Sequence, residues 1–164
     1  MDTIRILEQG PVLSPLLTRC LPHRLRNRVR LSFAASGPPP VAQTDLVVVA
    51  PDWEAGPLPP LSCRVLLTPG SMTEAAEAIS ARWTVSYGGS PRDSLTFSSI
   101  LDHTILLALQ REIVTLRGLR LERQEFSLPF SGRVPPLTLL GCAGTCLLLD
   151  VPPAGIRIPQ DGVR

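Results

Sequence analysis

The run Asp45-Leu-Val-Val-Val-Ala-Pro-Asp constrains this chain more than any other stretch of it. Four consecutive apolar residues, three of them valine and closed by Pro51-Asp52, describe a strand buried on both faces, as at the centre of a parallel sheet. Cys63-Arg-Val-Leu-Leu-Thr-Pro-Gly repeats the pattern. At 164 residues, 44% hydrophobic and 18% charged, the chain has material for one ordinary core. Its 18 Pro and 12 Gly break the sequence too often for a long helical bundle or a coiled coil.

Around the two valine-rich strands the pattern reads in order. Thr3-Ile-Arg-Ile-Leu alternates and is stopped by Gly10-Pro11, which gives a short first strand. Leu13, Leu16, Leu17 and Cys20 share one face of a helix over 12–21, ended by Pro22. Arg24, Arg26, Arg28 and Arg30 then alternate with Leu25, Val29 and Leu31, a period of two that predicts an extended strand with its guanidinium groups on one side. Ser36-Gly-Pro-Pro-Pro-Val is a stiff loop, and Pro57, Pro59 and Pro60 forbid a regular helix between the valine strands. Ser71 and Glu74 stand as in a capping box before an Ala-rich helix over 74–81. A strand over 82–89 meets Gly88-Gly89, and a further strand covers 94–100. Residues 105–116 and 119–128 flank Arg117-Gly118, which predicts a β-hairpin on a two-residue turn, with a helix over 105–116 as the rival reading. The apolar run Leu137–Leu149, between Pro136 and Pro152, predicts a buried helix despite Gly141 and Gly144.

The chemical inventory is sparse. All 16 basic residues are Arg, so a Schiff-base lysine and a phosphate-loop lysine are excluded within this chain. A net charge of +2 gives no wholesale attraction to nucleic acid or membrane. No apolar stretch reaches the roughly 20 residues of a spanning helix, and Asp2, Arg5 and Glu8 interrupt any apolar leader at the start. Ser98, Ser99, Asp102 and His103 lie close in sequence and suggest a small hydrolase, although no nucleophile-elbow glycines surround the serines. Cys142 and Cys146 share a helix face, yet a zinc site would need Cys20 and Cys63 to converge on them, and small core residues are the simpler reading. Glu74 with Glu77 and Glu122 with Glu125 are ordinary solvated pairs. The Arg24–Arg30 stretch could hold an anion, because guanidinium forks match oxyanions in pairs. Gly88-Gly89 and Gly70-Ser71 could each offer amides to a phosphate, in the manner of many α/β proteins.

Two segments, Trp83–Ile100 and Phe130–Ile156, together with the spacing between them, resemble the back half of the Mur ligase central domain over about 75 residues. In that family a strand ending in Phe/Tyr-Gly is followed by a small antiparallel excursion, a Gly-Arg-His-Asn turn, an Ala-rich helix and a Gly-Ile/Val-Pro exit. Val47-Val-Val-Ala-Pro-Asp52 is similar to the strand that carries the family's Asn-x-Asp turn. The departures fall on the chemistry. The family's Gly-Lys-Thr/Ser phosphate loop and reactive lysine are missing, and the turn reads Gly132-Arg133-Val134-Pro135. The resemblance therefore implies a shared scaffold without ligase activity.

The expectation is a single α/β domain over 1–158, a small Rossmann-like mixed sheet, partly parallel, with an antiparallel β-hairpin extension and a C-terminal apolar helix. Residues 1–36 form a basic N-terminal portion, 45–158 the Mur-ligase-like portion and 159–164 a flexible tail. The first functional reading is a cytoplasmic, non-catalytic module that binds a protein partner or regulates one. It has no catalytic residue, cofactor or metal and no nucleic-acid or membrane partner. It self-associates to cover its sheet edges and apolar helix. The second is a binding protein for an anionic metabolite such as a nucleotide or cell-wall precursor, held by Arg24, Arg26, Arg28, Arg30, Arg92 and Arg133. The hydrolase is the third.

Overall fold

A computed structural model describes residues 1–34, 43–54, 61–72 and 77–159. The Ser36–Val41 loop, the Pro57–Pro60 link, Glu74 and the tail from 160 lie outside the described residues. Strand β1 (Asp2–Leu7) leads through helix α1 (Leu13–Cys20) and the short helix α2 (His23–Arg26) to β2 (Val29–Ala34). Strands β3 (Thr44–Val49), β4 (Leu61–Pro69), β5 (Ile79–Gly88), β6 (Leu95–Leu101) and β7 (Thr104–Leu109) follow. A two-stranded ribbon of β8 (Ile113–Val114) and β9 (Arg120–Leu121), then β10 (Gln124–Pro129), helix α3 (Pro136–Leu148) and a 3₁₀ turn (Pro153–Gly155) complete the chain.

Eight of the described strands form one sheet in the order β10-β7-β6-β5-β4-β3-β1-β2. From β2 to β6 every pairing is parallel, and β7 runs antiparallel to both β6 and β10. This is the expected mixed, Rossmann-like α/β sheet. β1 pairs with β2 on one side and β3 on the other, so the basic N-terminal portion is part of the sheet. β6 meets β5 only at Tyr87–Leu95 and Gly88–Thr96. The antiparallel strands therefore continue beyond the C-terminal end of β5.

The larger core lies on one face, where α1 and α3 pack on each other and on the sheet side chains Ile4, Ile6, Leu46, Val48, Leu67 and Tyr87. The opposite face has a smaller cluster of Leu7, Val47, Val49 and Leu66, with Trp53 and Met72 against it. Leu13, Leu16, Leu17 and Cys20 are the buried stripe of α1. Pro15 is tolerated there because its missing N–H falls in the first turn, where no intrahelical acceptor exists. In α3 every residue from Thr138 to Leu148 is buried. Leu139, Leu140, Leu147 and Leu148 together contribute ~8 kcal/mol of burial, well above the ~2 kcal/mol that two helix glycines cost. Those glycines let neighbours close in: a Cβ at Gly141 would stand 3.2 Å from the Tyr87 hydroxyl, and one at Gly144 3.0 Å from a Leu67 methyl. Because the chain's own core covers α3, the helix needs no partner, and that motive for self-association is withdrawn. The sheet edges β2 and β10 remain.

Three local expectations are corrected. The arginine stretch is not one strand: His23–Arg26 is helical and only Arg30 of the four lies in β2. Leu25 is the buried residue of that helical turn and Val29, also buried, begins β2, so two short elements replace the single strand. The helix expected to reach Ala81 has ended by Ile79, where β5 begins; within the described residues only 77–78 are helical. The hairpin forms with Gly118 at φ 81° as expected. However, Gly118 N–H donates to the Thr115 carbonyl and Thr115 N–H to that of Leu119, which makes a three-residue loop, Leu116–Gly118. Its arms are split between the β7–β10 pair and the β8–β9 ribbon.

Candidate functional site

In an open parallel sheet the ligand crevice lies at the C-terminal ends of the strands where the order reverses. Here β1 leads outward to β2 while β3 starts on its other side, so the crevice belongs to the loops after β1 and β3. Glu8, Gln9 and Gly10 follow β1; Ala50, Pro51 and Asp52 follow β3.

Glu8 is buried, and its Oε2 accepts hydrogen bonds from the backbone N–H groups of Leu13 and Ser14, each at 3.1 Å. These are first-turn amides of α1, which has no side-chain cap from Val12. Such amides, at the positive end of the helix dipole, are where a bound phosphate would sit. The chain supplies its own anion there. Asp52 does the same for the approach to the helix: its Oδ2 accepts from Gly10 N–H at 2.8 Å and its Oδ1 from Gln9 N–H at 3.4 Å. Beneath them Tyr87, fully buried, donates its hydroxyl to the Val49 carbonyl at 2.5 Å. Burial, reinforced by the charge of Asp52, pushes the phenol far above its ordinary range, so it stays protonated.

The next loops along the edge are closed in the same way. Asp93, buried after β5, accepts from Ser90 N–H at 3.1 Å and lies on the backbones of Gly70 and Gly88. A Cβ at Gly70 would fall 1.8 Å from Asp93 Oδ1, and one at Gly88 2.5 Å from Oδ2. Both glycine turns that could have cradled a phosphate thus hold a carboxylate, and Gly70 N–H is committed to the Tyr87 carbonyl. Glu8 and Asp93 were not singled out from the sequence, and Asp52 only through the resemblance. Each is an acid one to five residues past the C-terminal end of a strand and within two residues of a Gly or Pro, and that was the available signal.

The six arginines are divided between the two ends of the sheet. Arg24, Arg26, Arg28 and Arg30 are exposed near the N-terminal end, where the Arg28 carbonyl accepts from Asp2 N–H and Arg30 stands beside Thr3. Arg92 is exposed in the loop after β5, at the opposite end, and Arg133 is exposed between β10 and α3. Ser98 occupies the β-bulge of β6, and Ser99, Asp102 and His103 are exposed around the β6–β7 turn. Among the described residues no side-chain hydrogen bond joins these four; the contact made by His103 is its carbonyl accepting from Phe130 N–H.

All four cysteines are free and buried. Cys142 has Cys146 and Cys20 as thiol partners where α1 packs on α3, and those contacts, with burial, push its thiol up and hold it in its neutral form. Cys63 belongs to the cluster on the other face, and burial pushes its thiol up to about 11. Among the described residues no group of three or more His, Cys, Asp or Glu could hold a metal ion, and no helix is long and apolar enough to cross a membrane. Comparison with protein families, with curated proteins and with solved structures finds no match for this chain.

Proposed function

We propose that this chain is a non-catalytic, partner-binding module on a Mur-ligase-like scaffold, working in the cytoplasm, whose nucleotide crevice is closed by its own carboxylates. The observation that carries the reading is Glu8 on the first-turn amides of α1. A phosphate entering there meets a buried carboxylate instead of free donors, and like charges at that distance repel. Asp52 and Asp93 extend the same closure along the strand ends. The order of elements supports the scaffold: β5 ends in Tyr87-Gly88, β6, β7 and β10 make the antiparallel excursion, and Gly132-Arg133 precedes α3. Four reduced thiols fit a reducing compartment, and the two sheet edges are the surfaces left for self-association or a partner.

The test is thermal denaturation of the chain with ATP, UDP and UDP-linked amino sugars at millimolar concentration. A ligand of the folded state must raise the melting temperature. The melting curve is expected to be unchanged by all of them. A dose-dependent rise with any one would overturn the reading in favour of an anionic-metabolite binder.

A further inference from the structure

The chain distributes its charge unevenly. Between Glu8 and Asp45 there is no Asp or Glu, while Arg19, Arg24, Arg26, Arg28 and Arg30 all fall in that interval. These five exceed the net charge of the whole chain, which is +2. Four of them, Arg24 to Arg30, are exposed on α2, the turn after it and the start of β2. Among the described residues no ion pair reaches any of the four. Arg26 uses its Nε on the Leu21 carbonyl at 3.2 Å, which leaves its two terminal nitrogens to other partners. The same corner holds the end of the sheet: β2 has β1 on one side and no described strand on the other.

An open strand edge offers backbone donors and acceptors to an extended segment, and arginines at its entrance select the charge of that segment. We infer that the α2–β2 corner docks an extended acidic segment of a partner protein, laid along β2 with its carboxylates against Arg24, Arg26, Arg28 and Arg30. The inference rests on the partner-binding reading above and names the partner's chemistry. A small anionic metabolite fits less well, because the arginines are strung along a helical turn and a strand instead of converging. Single-stranded nucleic acid would need a series of stacking surfaces, and residues 13–34 contain a single aromatic residue, Phe33. A membrane surface would need apolar side chains to insert, and no large apolar residue is exposed between Leu13 and Leu31. A six-residue edge of about 20 Å accommodates a segment of similar length.

The probe is a fluorescein-labelled octapeptide of alternating Glu and Val, titrated by anisotropy at low salt, with an N-methylated copy, oligouridylate and phosphatidylserine vesicles as comparators. The expected result is binding of the octapeptide that weakens with salt. It falls at least tenfold in the variant R24E/R26E/R28E/R30E and at least tenfold for the N-methylated copy, whose backbone cannot pair with a strand. The milder R24A/R28A pair, at exposed sites, should lose affinity in the same direction with an unchanged melting temperature. No binding, binding indifferent to the charge reversal or the methylation, or tighter capture of oligouridylate or vesicles by the same arginines overturns the proposal. A nucleotide that stabilises the chain would overturn the partner-binding reading by a separate measurement, so the two failures are distinguishable.

Discussion

Replacing Glu8 by alanine removes the acceptor of two backbone hydrogen bonds and leaves the first turn of α1 without an anion. Hydrogen bonds to a charged partner contribute ~1.5–3 kcal/mol each. At 3.1 Å the two made by Glu8 are long for charge-assisted bonds, which places them at the low end, ~3 kcal/mol for the pair. In a chain of this size a loss of 1 kcal/mol lowers the melting temperature by ~2–4 °C, so Glu8→Ala should lower it by ~6–12 °C. Glu8→Gln keeps an oxygen in place as a neutral acceptor and should lose about half as much. Calorimetry and urea denaturation measure both variants. The functional half of the reasoning is a rescue. Inorganic phosphate, titrated against chloride at matched ionic strength, should restore stability to Glu8→Ala and leave the native chain unaffected, because only the variant has amides to offer. A loss below ~1 kcal/mol would mean that the amides find other partners and that Glu8 is not the anion of the crevice. Equal response of the native chain and the variant to phosphate would refute the closure itself.

Gly70→Ala should destabilise by ~2 kcal/mol or more, since its Cβ would fall on Asp93 Oδ1. Gly89→Ala, with nothing within 4 Å of the new methyl, should stay within ~0.5 kcal/mol in the same denaturation assay. Asp150 ends α3 at φ 61°, where Val151 N–H donates to the Cys146 carbonyl and Asp150 N–H to that of Leu147. This position of the helix-ending motif favours glycine. Asp150→Gly should therefore raise the melting temperature by a few degrees, although it gives up a 3.5 Å contact with the largely exposed Arg117. The Cys63 thiol, pushed by burial from its ordinary 9.0 up to about 11, contributes stability that is fully present below pH 9 and is lost as the pH rises from 9 through 11. Urea midpoints measured across that window should fall less in Cys63→Ala than in the native chain.

The parallel sheet was legible because burial on both faces leaves a composition that nothing else demands. Asp45–Ala50 and Cys63–Thr68 could hardly be solvated anywhere, and both are buried strands. α3 was legible for the same reason, and the expected bounds, Leu137–Leu149, each fall within a residue of the observed Pro136–Leu148. The arginine stretch failed because charge, which alternated by two, was taken as the period. Solvated guanidinium groups cost almost nothing to expose in either conformation, whereas burying Leu25 from a helical turn and Val29 from β2 is favourable. The long hairpin failed more narrowly. Gly118 announced positive φ, but a loop of two residues and a loop of three both need a glycine there, and only the pairing of Thr115 with Leu119 separates them.

The candidate site was much less legible, and the reason is physical. What defines it is three carboxylates and the backbone amides they occupy, and backbone amides are the same in every sequence. A motif search looks for the side chains that grip a phosphate. Here the side chains take the phosphate's place, so Glu8, Asp52 and Asp93 read as ordinary solvated acids until the strands are aligned. Once they are, the strand ends have little anion-binding capacity left to give: α1 is capped by Glu8, Gly10 by Asp52 and the Gly70–Gly88 gap by Asp93. At the other end, Arg24, Arg26, Arg28 and Arg30 are exposed on α2, the turn after it and β2, and none of the four has an ion pair among the described residues. On the proposed reading, recognition lies at the side of the sheet, along β2, and not at the ends of the strands. Charge reversal at the α2–β2 corner should therefore alter what this chain binds, while Glu8→Ala should alter mainly how well it folds.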